Sequence, residues 1–131
     1  MRRTTRDPLT TNLRSLGFSE SAARRLARAG TPIDLPAGTP LTVKGERGEE
    51  AFVLVEGEAV VDLGTRQVPI GPGAVVGELA ALDPFARRNA TVRTTTPALV
   101  LVYDVKTFRS LAAGDLREVL APERDAGPVA A

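Results

Sequence analysis

A mainly β fold with flanking helices is what this sequence predicts, and three observations predict it. Between residues 33 and 104 the chain breaks into short apolar runs of strand length. Most of these runs are separated by turns that contain Gly or Pro. Toward both ends the apolar residues recur instead at helical spacing. Regular strands with turn chemistry between them signal an all-β sandwich or roll.

At 131 residues the chain is expected to form one domain with a sizeable core, not a sensor plus a separate effector. Aromatics are few, four Phe and one Tyr, so Val, Leu and Ala must build that core. A net charge of +1 argues against a generic nucleic-acid binder, which wants a basic field. Lys occurs only at 44 and 106, and the remaining basic residues are Arg, a bias that reads as a GC-rich genome. Cys and His are both absent. That excludes disulfides, a Cys/His zinc site and any mechanism needing a His base or Cys nucleophile. With His goes the metal-binding set of a cupin-like enzyme on a similar roll. No catalytic residue, metal or cofactor is expected. No apolar run has the length of a membrane span and no signal-peptide h-region opens the chain, so a cytoplasmic location is expected.

Residues 1–11, with Arg2, Arg3 and Arg6 among Thr and Pro, read as a mobile polar leader. Residues 13–17 add a helical turn. Ser19 is then a candidate N-cap, with Glu20 where the helix dipole favours negative charge. Ala22, Ala23, Leu26 and Ala29 form the expected apolar stripe, and Arg24, Arg25 and Arg28 form a solvated face. Gly30 stops this helix, with Pro32 just beyond. Strands are expected at 41–43, 51–55, 59–63, 67–70, 89–95 and 98–104. Glu56-Gly57 suits a tight hairpin between the second and third of these. A short helix over 106–111 packs Phe108 and Leu111 back onto the roll. Gly114 interrupts, 115–120 adds one or two turns, and Pro122 opens a disordered tail over 122–131. The domain proper is expected to run over 12–121.

The stretch 76–92 carries the chemistry. Gly77 lets backbone approach a ligand, and Glu78 can accept hydrogen bonds from hydroxyls. Leu79-Ala80-Ala81-Leu82 can form one helical turn whose first amides point outward as anion donors. After a bend at Pro84 come Arg87 and Arg88 and the alternating run Ala90-Thr91-Val92-Arg93-Thr94. An Arg on a strand facing helix-start amides is a phosphate clamp. Arg87 and Arg88 compete for the clamp, and the two-residue period of a strand puts them on opposite sides. Singly, each residue also has a plain reading: Gly77 as a turn, Glu78 as a surface carboxylate, Arg88 as a surface base or the salt-bridge partner of Glu78.

Together, Gly77-Glu78-Leu79-Ala80 and Arg88-Asn89-Ala90-Thr91-Val92 resemble the phosphate-binding cassette of cyclic-nucleotide-binding domains, the sensor module of catabolite-activator-type regulators, cyclic-nucleotide-dependent kinases and gated channels. The turns Gly38, Gly45-Glu46-Arg47-Gly48 and Gly57 resemble the same family's glycine pattern, as turn residues and not ligand contacts. The likeness runs from about Phe18 to Leu111. It implies a double-stranded β-helix, a jelly-roll-like β-roll, with an N-terminal helix and short C-terminal helices. By the resemblance, Gly77 admits the ribose-phosphate, Glu78 accepts the ribose 2′-hydroxyl, and Leu79 and Ala80 offer amides to the cyclic phosphate. Arg88 pairs with its exocyclic oxygens, and Asn89 and Ala90 complete the ligand-binding set. The chain departs from the family at Val76, where Phe is frequent, at Ala81, where a larger aliphatic is usual, and at Asn89. Asn89 is a candidate for base or nucleotide selectivity. No C-terminal helix long enough to cap the base is evident.

The function so implied is a stand-alone sensor of a cyclic nucleotide, cyclic AMP ahead of cyclic GMP. It would signal through its flanking helices to a protein partner or a second copy of itself, with no DNA-binding module. The alternative is a structural or protein-interaction module on the same roll with nucleotide binding lost or weakened.

Overall fold

The computed structural model describes residues 6–77 and 87–112. In chain order these form α1 (Arg6–Ser15), α2 (Glu20–Ala29), β1 (Thr31–Leu35), β2 (Pro40–Thr42), β3 (Glu50–Glu56), β4 (Ala59–Asp62), β5 (Gln67–Ile70), β6 (Val75–Val76), β7 (Thr91–Thr94), β8 (Ala98–Asp104) and α3 (Val105–Ala112). The strands make two four-stranded antiparallel sheets, ordered β1-β8-β3-β6 and β2-β7-β4-β5. This is the mainly β roll with flanking helices that the sequence predicts.

Burial explains the arrangement of layers. Along β3 the odd positions Ala51, Val53 and Val55 join Leu99, Leu101 and Tyr103 of β8 in a cluster with the helices, through Leu13, Leu26 and Phe108. The even positions Phe52 and Leu54, with Val100 of β8, belong to a second cluster with Ala59, Val61 and Val92 of the other sheet. The first sheet is therefore covered on both faces, by helices on one side and the second sheet on the other. A strand covered on both faces reads as a continuous apolar run, which accounts for Phe52-Val53-Leu54-Val55 and Leu99-Val100-Leu101. β4 has only one face in the core, and its burial alternates accordingly.

Several expectations need correction. Residues 6–11 are not part of a mobile leader, because α1 begins at Arg6 and buries Leu9 together with Leu13, one turn apart. The buried stripe of α2 is Ala22, Ala23, Leu26 and Ala27, not Ala29, as i, i+4 spacing from Ala22 and Ala23 requires. Ser19 does cap α2, its Oγ accepting from the Ala22 N–H at 3.1 Å. Gly57 is not the tip of a hairpin, since β3 and β4 lie in different sheets and the turn carries the chain from one to the other. Its φ of +94° and the Pro97 carbonyl oxygen 2.4 Å from where a Cβ would stand both require glycine. β1 and β6 were not among the expected strands. β1 contains Pro32 and lies at a sheet edge, where a missing N–H is tolerated.

Tyr103 locks the helices to the roll. Its hydroxyl donates to the Leu26 carbonyl at 2.7 Å, and burial pushes its pKa well above the ordinary phenol value. Phe108 of α3 meets its ring edge-on, with centroids 5.6 Å apart. Gly30 ends α2 with an ordinary extended backbone, φ −87°. It is glycine because a Cβ there would lie 2.6 Å from Tyr103 Cζ. α3 starts at an Asp cap, Asp104 Oδ1 accepting from the Thr107 N–H at 2.7 Å. The second C-terminal helix expected at 115–120 and the tail expected at 122–131 lie outside the described residues.

Candidate phosphate-binding site

The site is built where β6 ends and β7 is about to begin. Val75 and Val76 pair with Val53 and Phe52 of β3, which brings the next residue, Gly77, beside the start of β3 at Glu50. Gly77 is buried and has φ +84°, a left-handed conformation that only glycine adopts without strain. The returning chain is gripped by the loop between β2 and β3. The Arg88 N–H donates to the Glu46 carbonyl at 2.8 Å, and the Gly45 N–H donates to the Arg88 carbonyl at 2.7 Å. Arg47 and Arg87 face each other in an isolated antiparallel bridge.

These backbone bonds aim the two neighbouring arginines to opposite sides. Arg88 is buried, with 6% of its surface exposed. Its guanidinium donates from Nη2 to the Glu50 carbonyl at 2.6 Å and from Nη1 to the Gly77 carbonyl at 3.2 Å. Arg87 is exposed, and its Nη1 donates to the Gly45 carbonyl at 3.2 Å. A Cβ on residue 77 would stand 2.5 Å from Arg88 Nη1 and 2.9 Å from the Glu50 oxygen. Glycine is thus required twice over, by conformation and by the approach of the cation.

Burying a guanidinium is costly unless its donors are satisfied. The carbonyls of Glu50 and Gly77 satisfy two of them and hold the planar fork in one orientation. A cation held this way needs little reorganisation to receive an anion, and each charge-assisted bond it makes is strong for its size. Asn89, the next residue, is exposed, while Ala90 is fully buried in the same cluster as Val76. The Ala90 carbonyl accepts from Thr42 Oγ1 at 3.0 Å, and Thr91 Oγ1 accepts from the Lys44 N–H at 3.0 Å, so the strand on the far side of Arg88 is also pinned.

The structure therefore brings Gly77 and Arg88 into contact, buries Ala90 in the core with Val76 and leaves Asn89 at the surface. Glu78, Leu79 and Ala80 lie outside the described residues. Sequence reasoning missed Gly45, Glu46 and Glu50 as parts of the site. Each acts through its backbone, which has no side-chain signature; the glycine turn at Gly45 was the one available signal. A shallow crevice between Asp34, Leu35, Glu56, Pro97, Ala98 and Leu99 shares no residue with this site.

Comparison with known proteins gives a consistent picture. The family model described as the cyclic nucleotide-binding domain matches residues 32–115. The Pycsar effector protein PaPycTIR of Pseudomonas aeruginosa is 36% identical over 95 residues, covering 72% of this chain and 31% of that protein. A cyclic nucleotide-gated potassium channel of Rhizobium etli is 33% identical over 118 residues, covering 85% of this chain and 32% of the channel. The chain thus spans about a third of the length of these curated relatives. Among solved structures, Sp-2Cl-cAMPS bound to PKAR CBD2 superposes with a TM-score of 0.75 at 21% identity, over 92% of this chain and 88% of the other, which establishes likeness of fold.

Proposed function

The chain belongs to the cyclic nucleotide-binding domain family, and from that premise we propose that it is a sensor and regulatory domain for a 3′,5′-cyclic nucleotide, cyclic AMP ahead of cyclic GMP. The observation that carries this reading is Arg88, a buried cation held by two carbonyls against a glycine that leaves no room for a side chain. In the proposed cassette Arg88 binds the exocyclic phosphate oxygens, and the amides of Leu79 and Ala80 bind the same phosphate. Glu78 accepts the ribose 2′-hydroxyl, Gly77 admits the sugar, Ala90 backs the pocket, and Asn89 meets the phosphate or a base edge. Arg88 also offsets the cost of bringing an anion near the Glu78 carboxylate.

The signal is proposed to leave through α3. The Glu50 carbonyl that accepts from Arg88 belongs to a residue paired with Asp104, the cap of α3. The preceding carbonyl, Glu49, accepts from the N–H of Val105, the first residue of α3, at 3.2 Å. A ligand that draws on the Arg88 guanidinium therefore acts opposite the residue immediately before the helix start. It shifts that helix only by its differential affinity for the two arrangements. A protein partner or a second copy of the chain receives the output.

One observation favours the other reading, a protein-interaction module without ligand: the Glu50 and Gly77 carbonyls already engage the guanidinium, so Arg88 also serves as a staple. Thermal melting with cyclic AMP, cyclic GMP and AMP separates the two. Ligand at a hundred times its dissociation constant stabilises the fold by about 2.7 kcal/mol. The sensor reading requires such a rise for a cyclic nucleotide and a smaller one for AMP. An unchanged melting temperature at millimolar cyclic AMP and cyclic GMP leaves the interaction module standing.

A further inference from the structure

We propose that Arg47 and Arg87 form a second cationic surface, on the reverse side of the segment that carries Arg88, and that this surface docks an acidic protein segment. Residues directly opposed in an antiparallel bridge project from the same face, with Cβ atoms about 5 Å apart. Arg47 and Arg87 are so opposed, and both are exposed. Like charges in that relation destabilise a sheet, so the fold gains nothing from this pair on its own account. Arg87 commits one donor to the Gly45 carbonyl, and the Arg47 side chain makes no hydrogen bond among the described residues. Two exposed guanidinium groups carried on one face suit the carboxylates of neighbouring acidic side chains. A nucleic acid fits less well: Glu46, Glu49 and Glu50 are exposed in the same loop and strand start, and the net charge of the chain is only +1. A long polyanion would meet those carboxylates, whereas a short acidic segment need not.

The docking surface and the proposed ligand site share one backbone. The Glu46 carbonyl and the Gly45 N–H that hold Arg88 lie immediately before Arg47, and Arg87 immediately precedes Arg88. Anything that shifts the loop on one side therefore alters the grip on the other. The coupling is reciprocal, each occupant changing the other's affinity by the same factor. This coupling rests on the cyclic-nucleotide reading; the docking itself does not.

The test titrates fluorescein-labelled hexaglutamate against the full chain by fluorescence anisotropy, with hexaglutamine and a short duplex DNA as comparison probes. Hexaglutamate is expected to bind and hexaglutamine not. The double variant Arg47→Gln/Arg87→Gln is expected to weaken hexaglutamate about tenfold, the scale of two exposed ion pairs. Arg14→Gln/Arg66→Gln, with the same change of net charge, is expected to alter it less than about twofold. Absence of hexaglutamate binding, an equal loss in both double variants, or tighter binding of the DNA through the same two arginines would overturn the proposal. If Arg47→Gln/Arg87→Gln does not fold, phenylglyoxal modification of the unaltered chain decides. Hexaglutamate must then protect Arg47 and Arg87 but not Arg66, and equal modification of all three with the peptide present overturns the docking. Cyclic AMP is expected to shift the hexaglutamate affinity severalfold. Cyclic AMP that raises the melting temperature yet leaves that affinity unchanged overturns the coupling, whereas cyclic AMP that does not bind at all counts against the nucleotide reading and leaves the docking result intact.

Discussion

Gly77 and Arg88 occupy one space: a Cβ on the glycine would stand 2.5 Å from the arginine's Nη1, and the glycine's carbonyl accepts from that same nitrogen. Neither residue can be enlarged or moved without disturbing the other. Gly77→Ala is therefore expected to destabilise the fold by about 2 kcal/mol, the cost of a strained backbone plus displacement of the cation. Urea denaturation measures it, and a change in midpoint too small to resolve would mean that Arg88 swings aside freely.

Replacing Arg88 tests the clamp. Arg88→Lys keeps a charge but loses the planar fork that reaches Glu50 and Gly77 together. Cyclic-nucleotide binding is expected to weaken by about 1.5–3 kcal/mol in Arg88→Lys, to vanish in Arg88→Ala, and to fall less in Glu78→Ala. Isothermal titration calorimetry reads all three. Equal affinities for Arg88→Lys and the parent chain would remove the guanidinium from the site.

The lock between α2 and β8 gives two graded substitutions. Tyr103→Phe removes the donor to the Leu26 carbonyl and is expected to cost about 1 kcal/mol. Gly30→Ala forces a methyl against the Tyr103 ring and is expected to cost about 2 kcal/mol. Chemical denaturation checks the order; a Gly30→Ala variant as stable as the parent would show that α2 can shift away from Tyr103.

Acid should loosen the start of α3 late. The backbone hydrogen bond from Thr107, with help from its side chain and from Lys106, holds the Asp104 carboxyl below its usual range. A carboxyl lowered in the folded state contributes stability that is present above its unfolded pKa and is lost as pH falls through its folded one. The cap is thus intact at pH 5 and is lost only below the ordinary Asp value of about 3.9. Titration of the Thr107 amide by NMR should give a midpoint below that value. A midpoint above it would mean that Asp104 does not cap the helix in solution.

The roll was legible where sequence and burial share a period. Strands 67–70 and 98–104 were placed to the residue, because turn residues bound them closely. Ser19 was readable as a cap since its hydroxyl has one obvious role before an apolar stripe. The exchange of sheets at Gly57 was not, because a glycine turn looks the same whether the chain folds back on itself or crosses to another layer. Leu9 was hidden among polar and basic neighbours, two leucines being too few to mark a stripe. At the site, the family likeness chose Arg88 as the clamp and strand alternation put Arg87 on the opposite side, and their burial differs in that sense. The carbonyls of Glu46 and Glu50 could not be foreseen, for any residue there would supply the same oxygen.

Because β3 is covered on both faces and bonded to neighbours on both edges, its central amides should be among the last in the molecule to exchange with deuterium. Arg88 is fastened to the very first residue of that slow-exchanging rod. In the proposed sensor, a ligand at the arginine would therefore pull on a stiff lever, with movement expected at the rod's tip, where β8 hands over to α3, before its middle gives way.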